Sequence, residues 1–206
     1  NNFILIKFCK VLFLVHVRGQ FQLLNSNMKI IWRNNLISLW YQLFRSKSKI
    51  TKLIRIGAGG KGISSLLFIL PSEKRFAQNA SHFIKSVDNR EDLDVFYLIH
   101  QKATYLYSEI ISSKIISFSD EDFNFLGIFK NRDIIKKIKS LGFDAVVDLN
   151  LSEKQTISFL ILELPSPIKV GFESVFSNKI YSIIIKPSPT GFLEKSFENV
   201  EKILGL

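Results

Sequence analysis

Cysteine is nearly absent from this chain of 206 residues, where Cys9 stands alone. A single thiol excludes a disulfide framework and any cysteine-based zinc site. Histidine is scarce as well, and His16, His82 and His100 lie far apart in sequence, which excludes a histidine-rich metal centre. Five prolines and ten glycines are too few for a collagenous, linker-like or low-complexity chain. Negative charge is missing from the beginning: no acid precedes Glu73, while those first 72 residues hold 11 lysines and arginines. The remainder holds 17 bases and 18 acids, so a basic region precedes a nearly neutral one. Such asymmetry suits either a solvated arm or contact with an anionic surface. No recognised nucleic-acid motif accompanies the charge, so no specific nucleic acid is expected.

Apolar residues, by contrast, are plentiful. They make up 47% of the chain, with 19 phenylalanines, which is ample for one domain with a proper core and too apolar for a disordered segment.

The pattern along the chain divides it into three parts. Residues 1–27 form an apolar and basic leader. Its run FILIKFCKVLFLVHV is too short to span a membrane and contains Lys7 and Lys10. No small-residue cleavage site follows, which argues against a secretion signal. Since the sole methionine is Met28, the reading places the native start there. Residues 28–51 form a basic amphipathic helix. Trp32, Leu36, Leu39, Trp40, Leu43 and Phe44 share one face, with Arg33, Arg45, Lys47 and Lys49 around it. This face either packs on the domain or lies in a membrane interface, in which case Trp32, Arg33, Trp40 and Arg45 are the membrane contacts.

From residue 52 to 206 short apolar runs alternate with helical patterns. Strands are expected at 52–56, 64–71, 94–100, 114–119, 144–151, 168–173 and 181–187. Helices are expected at 73–87, with Phe76, Ala80, Phe83, Ile84 and Val87 on one face, and at 101–111, 152–164 and 192–206, with a further one ending near Gly142. Alternation of this kind implies βαβ units and a mostly parallel sheet covered on both faces, a Rossmann-like three-layer α/β domain. Ala145, Val146, Val147 and Leu149 should be buried in a central strand.

Gly57-Ala58-Gly59-Gly60-Lys61-Gly62 has the dinucleotide spelling, but that motif opens a helix. The run ISSLLFILP follows instead, so the glycines read as a hairpin or connecting turn, and a nucleotide-dependent oxidoreductase is the weakest reading. A phosphate-loop NTPase is excluded because Gly62, not Ser or Thr, follows Lys61. Asp120-Glu121-Asp122 reads as a solvated loop, and no metal or cofactor is expected. His82 and His100 have no visible catalytic partners. Asp148 and Asn150 end the predicted central strand at its carboxyl edge, where open α/β sheets bind ligands. Ser152-x-x-Gln155 has capping-box form, which leaves those two residues freer for a ligand.

The stretch 139–187 resembles glycosyltransferase family 9, the ADP-heptose:lipopolysaccharide heptosyltransferases. The residues that carry the likeness are Phe143, Asp144, Val146, Val147, Asp148, Leu149 and Asn150, then Ile168, Lys169, Val170, Gly171 and Phe172. Asn178 and Tyr181 stand where that family often has an asparagine or an aromatic. The resemblance implies the N-terminal, acceptor-binding half of a GT-B enzyme. It implies a sugar- or glycolipid-binding role in cell-envelope glycan synthesis, cytoplasmic or peripheral on the inner face of the cell membrane. Partners would then be a glycolipid acceptor, a full-length glycosyltransferase or an anionic membrane surface. Two departures stand out. The family's first strand leads into a Gly-Asp turn carrying the general base, whereas Pro71-Ser72-Glu73 stands here. Glu73 is the nearby carboxylate and the candidate base, though a place in the first helical turn suits it better. Ser72 joins Asp148 and Asn150 as ligand-binding candidates. The 206 residues also leave no room for a donor-binding domain, so the chain is expected to transfer no sugar by itself. The alternative is a membrane-surface or protein-interaction scaffold with no ligand.

Overall fold

The structure, a computed structural model, describes residues 62–206 apart from 89–91, 109, 111–113, 125–126, 153 and 188–192, together with residues 35 and 39. The predicted leader, the 52–56 strand and Gly57–Lys61 lie outside the described residues. So do Trp32, Arg33, Trp40 and Arg45. Within 28–51, Asn35 and Leu39 are helical and exposed.

Six strands form one sheet: β1 (Ser65–Ile69), β2 (Asp94–His100), β3 (Ile115–Phe118), β4 (Ala145–Asp148), β5 (Ile168–Phe172) and β6 (Ile183–Ile185). Their order is β3-β2-β1-β4-β5-β6, and every pairing is parallel. The domain is therefore the Rossmann-like α/β layer structure that the alternation predicts. No helix among the described residues is long and apolar enough to cross a membrane.

Burial explains why the strands read as they do. A parallel strand covered on both sides has no polar face, so it appears as a continuous apolar run. Leu66, Leu67, Phe68 and Ile69 of β1 are fully enclosed, as are Ala145, Val146, Val147 and Leu149 in and after β4. Residues alternate between the two faces. Leu66, Phe68, Val95, Tyr97, Ala145 and Val147 join one core with α1 (Lys74–Asp88) and with the C-terminal α5 (Leu193–Leu204). Leu67, Ile69, Leu98 and Val146 fall outside that core and face the opposite way. Buried Ile135 and Ile138 of α2 (Arg132–Leu141) and Ile157, Leu160 and Ile161 of α3 (Gln155–Glu163) supply that second layer. A single turn, α4 (Ser177–Ile180), precedes β6.

Local chemistry sets the element ends. Asn131 caps α2, its side chain accepting from the N–H of Asp133 and Ile134 at 3.2 and 3.3 Å. Gly142 ends the helix in the left-handed conformation, at φ 66°, where a glycine carries no Cβ penalty. Three expectations need correction. The predicted helix at 101–111 is a 3-10 helix at 101–107, and at its end the buried Tyr107 hydroxyl donates to the Pro71 carbonyl at 2.7 Å. Ser152 does not cap α3. Lys154 holds the cap position without any side-chain capping bond, because the Ser152 hydroxyl turns to Glu73 Oε1 at 3.2 Å. On α1, Ala77 is buried where Phe76 was expected, and Phe76 is only half-buried.

Candidate functional site

All strands run the same way, so all their carboxyl ends meet one edge. The chain builds β1, β2 and β3 toward one side and then returns to lay β4, β5 and β6 on the other. The order reverses between β1 and β4, and the loops leaving those strands diverge to opposite layers, opening a crevice. A cavity of about 350 Å³ occupies this place. Four strand ends line it: Leu70 and Ser72 after β1, His100 and Lys102 at β2, Phe118 and Asp120 at β3, and Asn150 after β4. Lys154, Thr156 and Ile157 close it from the start of α3.

On one wall His100 stands edge-on to Phe118, with ring centroids 5.1 Å apart. Its Nδ1 accepts from the Lys102 main-chain N–H at 3.2 Å, which assigns the ring proton of the neutral form to Nε2. That nitrogen faces Asp120 Oδ1 at 3.1 Å. The other Asp120 oxygen pairs with Lys102 Nζ. Hydrogen bonding to Lys102, then to His100, holds the Asp120 carboxyl below its ordinary range. Asp122 turns away from this cluster, accepting from the Ser119 N–H at 2.7 Å and from Asn131 Nδ2 at 2.7 Å. Among the described residues no cluster of three or more His, Cys, Asp or Glu side chains is arranged to hold a metal.

On the other wall Lys154 Nζ donates to Ser72 Oγ at 2.6 Å. Together with the Ser152–Glu73 bond, it ties the loop after β1 to the loop after β4 across the switch point. No carboxylate among the described residues lies within ion-pair distance of Lys154. The acid that does feel its charge is Asp148.

The predicted site residues separate into two roles. Ser72 and Asn150 line the cavity. Asp148 lies behind it, 5% exposed. One Asp148 oxygen accepts from the Asn150 N–H at 2.9 Å and from Asn150 Nδ2 at 2.7 Å, and the other accepts from the Tyr181 hydroxyl at 2.7 Å. Burial pushes the Asp148 carboxyl up, against these three hydrogen bonds and the pull of Lys154. Because its Nδ2 is engaged by Asp148, Asn150 has its amide oxygen left for a donor. Glu73 is exposed and sits one residue before α1. Its carbonyl accepts from the Phe76 and Ala77 N–H at 3.0 and 2.9 Å, and its carboxylate accepts from the Ser152 hydroxyl. Asp144, at the other edge of the sheet, accepts from the Ser64 N–H and hydroxyl at 3.0 and 2.8 Å. Asn178 is exposed.

Sequence reasoning missed Lys102 and Lys154, and it set His100 and Asp120 aside. The signal for His100, Lys102 and Asp120 was the one that singled out Asn150: each ends or follows a predicted strand. Gly62 leads through Ile63 and Ser64 into β1 rather than into a helix, as the turn reading requires.

A family model matches residues 42–205, and its family is described as one of unknown function, DUF6913. No curated protein matches the chain.

Proposed function

The chain belongs to the DUF6913 family, and we propose that it is a sugar-binding domain of the glycosyltransferase family 9 type. In this reading it takes a sugar or glycolipid headgroup in the carboxyl-edge cavity and serves cell-envelope glycan synthesis without transferring sugar itself. The observation that carries it is the convergence of Ser72 and Asn150, from the two sides of the switch point, on one cavity with His100 and Lys102. Polar groups converging on an open cleft favour a ligand over a scaffold without one, which an apolar plug would have favoured instead. Leu70, Phe118, Phe123 and Ile157 give the cavity the apolar walls against which sugar faces pack, with a few polar groups for orientation. The likeness of 139–187 to the acceptor half of the heptosyltransferases supports the same ligand class. The acid-free basic region before Glu73 supports a place at an anionic membrane surface.

Isothermal titration calorimetry of the full chain against glucose, a heptose and ADP-heptose tests the reading. Binding that weakens in Asn150→Ala, with no release of ADP from ADP-heptose, is expected. Absence of binding by every sugar probe, phosphorylated ones included, would sink it, and turnover of ADP-heptose would show a transferase where we place a binding domain.

A further inference from the structure

Charge in the cavity is unequal. Lys102 has an acid of its own in Asp120, whereas the partner of Lys154 among the described residues is a neutral hydroxyl, Ser72, at 2.6 Å. Asp148, an acid that feels the Lys154 charge, has both oxygens already engaged by Asn150 and Tyr181. Lys154 also sits at the cap of α3, where the helix favours an anion and disfavours a cation, and the first turn of that helix contains no acid. A residue choice that opposes local stability is expected where function requires it. Among the described residues the cavity is thus lined by two ammonium groups, Lys102 and Lys154, and one exposed carboxylate, Asp120.

From this geometry we infer that the cavity binds a phosphate monoester of a sugar, with the phosphate seated between Lys154, Ser72 and Lys102. The inference rests on the sugar-binding reading and names its ligand class. A phosphate dianion supplies a counter-charge that Lys154 does not find among the described residues, and ammonium groups and a hydroxyl are ordinary partners for its oxygens. The Asn150 amide oxygen and the Asp120 carboxylate are acceptors that suit the hydroxyls of the sugar ring. A volume of about 350 Å³ falls at the small end of small-molecule sites, which run from ~300 to 1,000 Å³, and fits a monosaccharide phosphate rather than a dinucleotide. The same chemistry is offered by a free sugar phosphate and by the phosphorylated headgroup of a glycolipid.

Calorimetry of the full chain with glucose 6-phosphate, glucose and inorganic phosphate separates the contributions. Phosphatidylcholine vesicles with and without a monophosphorylated glycolipid separate the two sources. Glucose 6-phosphate is expected to bind at least tenfold tighter than glucose, and Lys154→Gln to lose at least tenfold of that affinity. Lys136→Gln, a change at an exposed lysine of α2 that pairs with Asp133, should lose nothing. Ser72→Ala, whose small side chain leaves the fold undisturbed, should weaken the phosphate and not the neutral sugar. Retention on glycolipid vesicles that Lys154→Gln abolishes assigns the headgroup source, and binding of glucose 6-phosphate alone assigns the free one. Equal affinity for glucose and its phosphate, or a Lys154→Gln variant that is folded by circular dichroism and binds like the parent, would overturn the phosphate site while leaving sugar binding intact. Failure of every probe would overturn both.

Discussion

Tyr181, the residue that follows α4, reaches across β5 to donate its hydroxyl to Asp148 at the end of β4, at 2.7 Å. The ring passes over Gly171, where any Cβ would stand 2.3–2.5 Å from its atoms. Asp148 then holds Asn150 by two bonds at the cavity wall. A chain of contacts from β5 to the site thus depends on one residue having no side chain.

Tyr181→Phe removes one donor from a buried carboxylate. At neutral pH this should cost on the order of 1–3 kcal/mol. Burial already raises the folded-state Asp148 value, so the charged carboxyl counts against folding above its unfolded value and stops doing so as pH falls. The stability gap between parent and variant should therefore narrow on acidification. Urea melts at pH 7 and pH 4 measure it, and a gap that widens toward acid would contradict the assignment.

Gly171→Ala should destabilise by about 1–3 kcal/mol, since an added methyl in a packed layer forces the ring to shift. In a Tyr181→Ala background the same change should cost far less. A double-mutant cycle reads the coupling directly, and additive effects would show that the ring is not the obstacle.

Tyr107→Phe leaves the Pro71 carbonyl without its buried partner. The expected loss is about 1 kcal/mol, accompanied by weaker ligand binding, because Pro71 precedes Ser72 in the loop at the cavity. Thermal melts and calorimetry test the two effects separately.

Lys169 on β5 lies opposite Val146 of β4 and makes no ion pair among the described residues. Burial pulls its ammonium down to about 8, against an unfolded value of ~10.4. Between those values the folded state binds fewer protons than the unfolded one, so stability should rise with pH across that window. Lys169→Met should remove the slope and raise stability at pH 7 by on the order of 1–3 kcal/mol. Denaturation curves at pH 7, 8, 9 and 10 decide it: parallel pH dependence in parent and variant would exclude Lys169 as the source.

The elements of the sheet were legible because buried parallel strands write themselves as apolar runs and because Asn131 and Gly142 punctuate a helix in a purely local way. Local signals misled where a distant partner competed. The Ser152 hydroxyl had a capping pattern in sequence, yet Glu73, far back along the chain, offered it a bond. The 101–107 segment had helical periodicity, but the Tyr107 bond to Pro71 accompanies a 3-10 form.

The amino-acid sequence by itself determined the α/β class, the buried central strand, the carboxyl-edge position of Asn150 and the concentration of positive charge before Glu73. These follow from periodicity and composition, which are properties of neighbours in the chain. Tertiary structure alone decided that Ser72 and Lys154 meet, that His100 faces Asp120, and that Asp148 turns behind the cavity to hold Asn150 instead of entering it. Each of those pairings depends on which strands lie side by side. That order is set by how two layers of helices cover one sheet, and no local pattern records it.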